Sequence, residues 1–197
     1  MTFASSLGGW LFRQRTWLPL PLVAALLLIP APSDAPGASL WIIGALVVAT
    51  GEAIRLWAVH HIGAISRTRS DRLGPLIASG PFAHIRNPLY VGNILLWTGF
   101  ALSAQLAWFA PIVVVLLALE YHAIVRWEEQ LLSERIGEAY ARYVSTVPRW
   151  FPSFASTPRP AEPPASTFSW SQTLFSERGT LIAIGAGFLL LWIKARF

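Results

Sequence analysis

Long apolar runs constrain this chain more than any other feature. They recur along its 197 residues at about Leu11–Ile29, Leu40–Val59, Leu89–Phe109, Pro111–Tyr121 and Thr180–Ile193. A helix needs about 20 apolar residues to cross a ~30 Å hydrocarbon core, where every backbone amide must be paired within its own segment. Runs of this kind predict membrane helices. Composition agrees, with 54% hydrophobic and only 13% charged residues, against about 25% charge in a typical soluble domain. Tryptophan occurs 10 times, and indole rings favour the membrane–water interface. The expected fold is all-α, a polytopic membrane protein of about five transmembrane helices.

Each run adds detail. The first holds Pro19 and Pro21 and leads into Pro30, Pro32 and Pro36 without a small-residue cleavage site. It reads as a retained helix rather than a secretory signal. The second carries Glu52 and Arg55, i,i+3 neighbours able to pair on one helical face. Charge at that depth faces the bundle or snorkels to the surface. The third and fourth runs, joined near Ser103–Gln105, predict a tight helical hairpin. Its second arm continues as an amphipathic helix through Arg126, Glu128, Glu129, Glu134 and Arg135. Residues 148–173 are rich in Pro, Ser and Thr, as in a linker or a surface-hugging tail. The last run either spans or lies as a shallow helix.

Charge sets the expected orientation. Arg13, Arg15, the Arg67–Arg86 cluster and the stretch from Arg126 to Arg178 fall on one side, while the opposite linker holds only Asp34. Basic loops stay cytoplasmic, so the polar C-terminal region is expected to face the cytoplasm, in an integral membrane protein of a bacterial inner membrane. Three regions are expected: residues 1–59, 60–152 and 153–197. The absence of cysteine excludes disulfides, thiolate metal sites and a cysteine nucleophile. His60, His61, His84 and His122 show no metal-ligand spacing, so no metal is expected. The basic residues have a topological reason to exist, and nucleic acid is not an expected partner.

Two polar blocks stand where membrane helices meet water. The first is GPFAHIRNPLYVGN, Gly80 to Asn93, and the second is EEQLLSERIGEAYARYVSTVPRWFP, Glu128 to Pro152. Asn87-Pro88 reads as a helix start, an Asn cap followed by Pro at the first helical position. Free amides there, with Arg86 alongside, suit a carboxylate or phosphate. Arg86 reads equally well as a topology arginine meeting lipid phosphate. Tyr90 either stacks on a base or marks the aromatic belt. A carboxylate at Glu128 or Glu129 suits an ammonium or a ribose diol. Adjacent helical side chains diverge by about 100°, so one of the pair is expected on a solvated face. Gly137 is expected to permit close approach of another element, and Tyr140 and Tyr143 to serve as packing or interface rings. His122, Arg126 and Glu120 either line a polar cavity or satisfy one another. His84, in the same block as Arg86, is the best histidine for a cofactor contact, and reads more readily still as a satisfied loop histidine.

The first block resembles the "G-P-(F/Y)-x-x-x-R-H-P-x-Y-x-G" signature of the isoprenylcysteine carboxyl methyltransferase family of integral membrane enzymes. The second resembles that family's "E-E-x-x-L-x-x-x-(F/I)-G-x-x-Y-x-x-Y-x-x-x-V-P-R-x-x-P". The phospholipid methyltransferases share much of this pattern. The resemblance implies S-adenosyl-L-methionine held in a cytoplasmic catalytic region, and a lipid or lipidated small molecule entering from the bilayer. It implies that Gly80, Pro81, Phe82, His84, Arg86, Asn87, Tyr90 and Glu129 bind the cofactor, and that Arg86, Glu128 and Glu129 form the catalytic set. Arg149 would close the site, and the loop holding His60, His61 and Arg69 would form part of a lid. One departure stands out: the histidine of "R-H-P" is Asn87 here. Asparagine donates a hydrogen bond but carries no charge.

The expected reaction is direct methyl transfer to a lipid-like acceptor of the isoprenylcysteine carboxylate type, which is already ionised near neutral pH. A phospholipid amine is the alternative and requires a base. An NADPH-dependent membrane reductase, with Arg67, Arg69 and Arg72 holding a phosphate, and a non-catalytic membrane binding protein are the remaining alternatives. The sequence leaves the oligomeric state open.

Overall fold

The computed structural model describes residues 3–63, 76–154 and 168–196, and side chains from residue 7 onward. Arg67, Arg69, Asp71, Arg72, the Gly74-Pro75 turn and half of the proline-rich segment lie outside the described residues. The described chain is helical: α1 (Phe3–Gln14), α2 (Leu20–Leu28), α3 (Ala38–Ile62), α4 (Pro88–Ser103), α5 (Ala110–Ile136), α6 (Glu138–Thr146) and α7 (Trp170–Lys194), with a 3₁₀ turn at Gly80–Ala83.

Three helices, α3, α5 and α7, are long and apolar enough to cross a membrane. At 16 residues α4 falls short of the ~20 needed to cross unaided, and at nine α2 falls further short. Large apolar side chains such as Leu28, Leu119 and Ile182 point outward and are more than half exposed. An apolar exterior is costly in water and matched by lipid.

The first apolar run does not form one helix. Pro19 and Pro21 lack amide donors, and each ring clashes with the carbonyl four residues back. The chain therefore turns between α1 and α2, and α2 starts with a proline in its first turn. Gly8 and Gly9 let α1 lie directly on α5, where a Cβ at Gly9 would meet the Trp127 indole at 3.1 Å. Phe12 adds a ring contact to Trp127 at 5.0 Å. This seating delivers Arg15 to the polar end of the bundle.

Small residues set the α3–α4 interface. Gly44 and Gly51 on α3, and Gly92 and Gly99 on α4, repeat at the same seven-residue interval. A Cβ on Gly51 would come within 2.7 Å of the Gly92 carbonyl, and one on Gly99 within 2.6 Å of the Gly44 carbonyl. The antiparallel helices thus touch backbone to backbone, the small-residue contact that membrane helices use in place of a hydrophobic driving force. The expected hairpin is present: α4 ends at Ser103, Leu106 is fully buried in the turn, and α5 starts at Ala110. Around Leu106, Val113, Leu117 and Ile124 the apolar core gathers α1, α2, α4 and α5, together with Leu191 of α7.

The last helix starts earlier than its apolar run. Ser169 and Gln172 close a reciprocal capping box, which satisfies two amides that would otherwise lack partners. Glu177 and Arg178 therefore lie inside α7 and not ahead of it. Lys194 at the other end donates to the Leu26 carbonyl at 2.6 Å. Between α5 and α6 the chain turns at Gly137, with φ +65. A Cβ there would meet nothing within 4 Å. This glycine supplies a left-handed backbone angle and not the close approach expected of it.

Candidate functional site

Backbone hydrogen bonds join the two polar blocks into one unit. The Arg86 amide donates to the Pro148 carbonyl at 2.9 Å, and the Ser153 amide donates to the His84 carbonyl at 2.9 Å. The Tyr143 hydroxyl donates to the Phe82 carbonyl at 2.8 Å. Gly80 takes φ +57 in the turn ahead of α4, and a Cβ there would run into the His61 ring. Both the angle and the neighbour require glycine. Asn87 occupies the N-cap position of α4, yet its side chain makes no cap hydrogen bond. Its Nδ2 donates instead to the Arg149 carbonyl at 3.2 Å, another tie between the blocks.

Charge follows the same seam. Glu129 receives Arg86 Nη1 at 2.7 Å and Arg149 Nη2 at 2.5 Å, with Arg149 Nε at 3.0 Å. One carboxylate thus serves two guanidiniums, and Arg149 grips it with both nitrogens, the strong bidentate form. That hydrogen bond raises the Arg149 pKa further above its usual range. Arg86 also reaches the Tyr140 hydroxyl. Burial pushes the Tyr140 phenol up to about 12, and burial likewise raises that of Tyr143. Both tyrosines are hydrogen-bonding members of the site as well as buried rings. Arg86 Nε is buried and has no hydrogen-bond partner among the described residues.

Glu128, one residue before Glu129 on α5, points to a different partner, accepting from the Tyr90 hydroxyl at 3.0 Å. The two carboxylates diverge as helical geometry requires, but neither lies on a solvated face: both line a cavity of about 470 Å³. The Tyr90 ring rests on Tyr121 at 4.8 Å between centroids.

Of the residues expected at the site, Phe82, Arg86, Asn87, Tyr90, Glu128 and Glu129 line this cavity, and Gly80, Pro81 and His84 do not. Pro81 is fully buried behind it. The His84 Nδ1 faces the Ser153 carbonyl at 3.0 Å, and its ring lies 5.2 Å from Phe154. His60 stacks on Trp170 at 4.3 Å, away from the cavity. His122 and Arg126 are exposed and absent from its walls. Tyr140, Tyr143, Arg15, Arg55, Asn93 and Glu177 also reach the lining. Arg55 and Glu52 are legible as a pair in sequence. Nothing local tells that Glu177, 122 residues from Arg55, completes their cluster with a 2.5 Å ion pair.

Residues 40–139 match the model of the phospholipid methyltransferase family. The chain is 28% identical over 154 residues to the nickel-cobalt-cadmium resistance protein NccN of Alcaligenes xylosoxydans xylosoxydans, a match covering 75% of this chain and 69% of that protein. It is 29% identical over 110 residues to the cobalt-zinc-cadmium resistance protein CzcN of Cupriavidus metallidurans, covering 56% of this chain and 48% of that relative. The second match thus spans about half the relative's length. No solved structure matches the chain. The matched stretch holds α3, α4, α5 and the cavity-lining Arg86, Tyr90, Glu128 and Glu129, and covers just over half of the sequence: the chain belongs to the phospholipid methyltransferase family.

Proposed function

We propose that this protein is an S-adenosylmethionine-dependent methyltransferase acting on a lipid-like acceptor, at a cavity on the cytoplasmic side of the membrane. The observation that carries this reading is the Arg86–Glu129–Arg149 cluster, which joins both sequence blocks beside the cavity that Arg86 and Glu129 line. The cavity volume, about 470 Å³, lies within the roughly 300–1,000 Å³ of small-molecule sites. The residues fit the cofactor. The unpartnered Nε of Arg86 is a donor for its carboxylate, and Glu128 is an acceptor for its ammonium or ribose diol.

When bound, the cofactor supplies an electrophilic sulfonium methyl group. The chain's part is to position and to exclude water. Glu129 fixes the Arg86 guanidinium, so little rotamer freedom is lost on binding. Phe82 and the Tyr90–Tyr121 pair form apolar walls. Glu128, whose described partner is a neutral phenol, is the carboxylate best placed to take a proton. That capacity matters for an amine acceptor and is superfluous for a carboxylate. Together with family membership, this supports our preference for a phospholipid amine over an isoprenylcysteine-type carboxylate. The relatives are named for metal resistance. Among the described residues no three His, Cys, Asp or Glu side chains converge as a metal site, so we carry methyl transfer and not metal binding to this chain.

The test is binding of labelled S-adenosylmethionine to the full chain in nanodiscs, followed by transfer to a phospholipid amine and to an isoprenylcysteine analogue in parallel. Arg86→Ala is expected to weaken cofactor binding about 10- to 100-fold, the worth of a charge-assisted hydrogen bond. Wild-type protein that binds no cofactor, or an Arg86→Ala variant of unchanged affinity, would overturn the reading.

A further inference from the structure

A second ionic cluster lines the same cavity from inside the membrane helices. Arg55 of α3 donates through Nη1 to Asn93 Oδ1 of α4 at 2.5 Å and through Nη2 to Glu177 Oε2 of α7 at 2.5 Å. The same Nη2 reaches Thr180 Oγ1 at 3.3 Å. Glu52, one turn earlier on α3, approaches Arg55 Nε at 3.4 Å. Two carboxylates share one guanidinium, and Glu52 and Glu177 are each 6% exposed. They lie close enough for their charges to act on one another.

The arrangement is incomplete. Among the described residues neither oxygen of Glu52 has a hydrogen-bond donor, although the side chain points at Arg55 Nε, 3.4 Å away, and is more than nine-tenths buried. Ionisable groups in membrane helices are costly and persist where they pair or serve a ligand. The cluster carries one carboxylate more than its guanidinium can neutralise. Its open side is the cavity, which Arg55, Asn93 and Glu177 line. Glu177 lies beyond residues 40–139, so the family match does not account for it. The guanidinium between the two carboxylates disfavours a divalent metal by repulsion, while an organic cation of single charge can approach Glu177 from the cavity.

We propose that Glu52, Arg55 and Glu177 form a cation subsite of the cavity, in which Glu177 takes the alkylammonium head of the acceptor and Glu52 supplies the surplus negative charge. This rests on the reading of the cavity as a methyltransferase site for a lipid amine. It adds α7 as the element that selects the acceptor.

The experiment uses the full chain in nanodiscs and two short-chain probes, dihexanoyl phosphatidylethanolamine and dihexanoyl phosphatidylglycerol. Wild-type protein is expected to favour the ammonium-headed probe at least tenfold. Glu177→Gln keeps a hydrogen-bond acceptor for Arg55 and loses the charge; it is expected to reduce the preference to threefold or less, with S-adenosylmethionine affinity within twofold of wild type. Glu52→Gln leaves the cavity wall in place and must lower the preference in the same direction. A full preference retained in both variants would overturn the proposal. So would equal loss of both probes, displacement of the ammonium probe by zinc or nickel ions, or a loss confined to S-adenosylmethionine, which would give the cation to the cofactor. If the wild type binds no S-adenosylmethionine yet shows a Glu177-dependent preference, the subsite stands and the methyltransferase reading falls. If cofactor binding is intact and the preference absent, the subsite alone falls.

Discussion

Two ionic clusters face one cavity with opposite stoichiometry. At the polar end, Arg86 and Arg149 share Glu129. Within the membrane helices, Glu52 and Glu177 share Arg55. Each leaves one charge in excess, positive in the first and negative in the second. The first is fixed by two backbone hydrogen bonds between the segments before α4 and after α6. The second is fixed by helices brought together at glycines. A buried charge without its counterion costs several kcal/mol. Each surplus therefore favours a ligand group of the opposite charge.

The largest expected effect tests whether the polar cluster is held by its lone carboxylate. Glu129→Ala leaves two neighbouring guanidiniums without their anion and is expected to cost about 3 kcal/mol. It is read as a lowered melting temperature in detergent together with lost cofactor binding. Unchanged melting would show that the backbone ties suffice without the ion pairs.

An alkaline titration probes the same cluster more gently. Burial holds the folded Tyr140 phenol up to about 12, above the ~10 of an unfolded tyrosine. Its contribution is complete below pH ~10 and is lost as pH rises towards about 12, reaching about 1.4 kcal/mol of lost stability at pH 11. Melting curves across this range should show the loss, and Tyr140→Phe should shrink it. A Tyr140→Phe variant with the wild-type alkaline slope would place the sensitivity elsewhere.

The smallest effect belongs to the membrane cluster. Glu52→Gln removes a charge that meets Arg55 Nε only at 3.4 Å, and it relieves the repulsion with Glu177. It is expected to change stability by no more than about 1 kcal/mol, the size of one hydrogen bond. A much larger loss would make Glu52 a structural partner and erase the contrast between the clusters.

Much of the polar end was legible from residue patterns, because its signals are local. Asn87-Pro88 marked the start of α4, and the Ser103–Gln105 patch marked the hairpin. The blocks around Arg86 and Glu128–Glu129 lie at helix ends, where polarity changes abruptly. Less was legible where partners are far apart in sequence. Glu177 appeared only as a charge ahead of the last apolar run, because hydropathy does not reveal that the Ser169 cap starts α7 earlier. Arg15 reads as a topology residue in sequence, because the run holding Pro19 and Pro21 reads as one retained helix. Gly44, Gly51, Gly92 and Gly99 carry no signal singly; their matching intervals acquire meaning only when α3 and α4 run antiparallel.

The sequence by itself determined an all-helical chain with apolar segments and polar ends, since hydrophobic length and helix-start chemistry act through neighbouring residues. Tertiary structure decided which charges meet. Adjacent Glu128 and Glu129 were assigned to Tyr90 and to the arginines by the rotation of α5, and Arg55 gained Glu177 through the docking of α7. An ion pair depends on distance in space and on burial, and neither quantity is carried by separation along the chain.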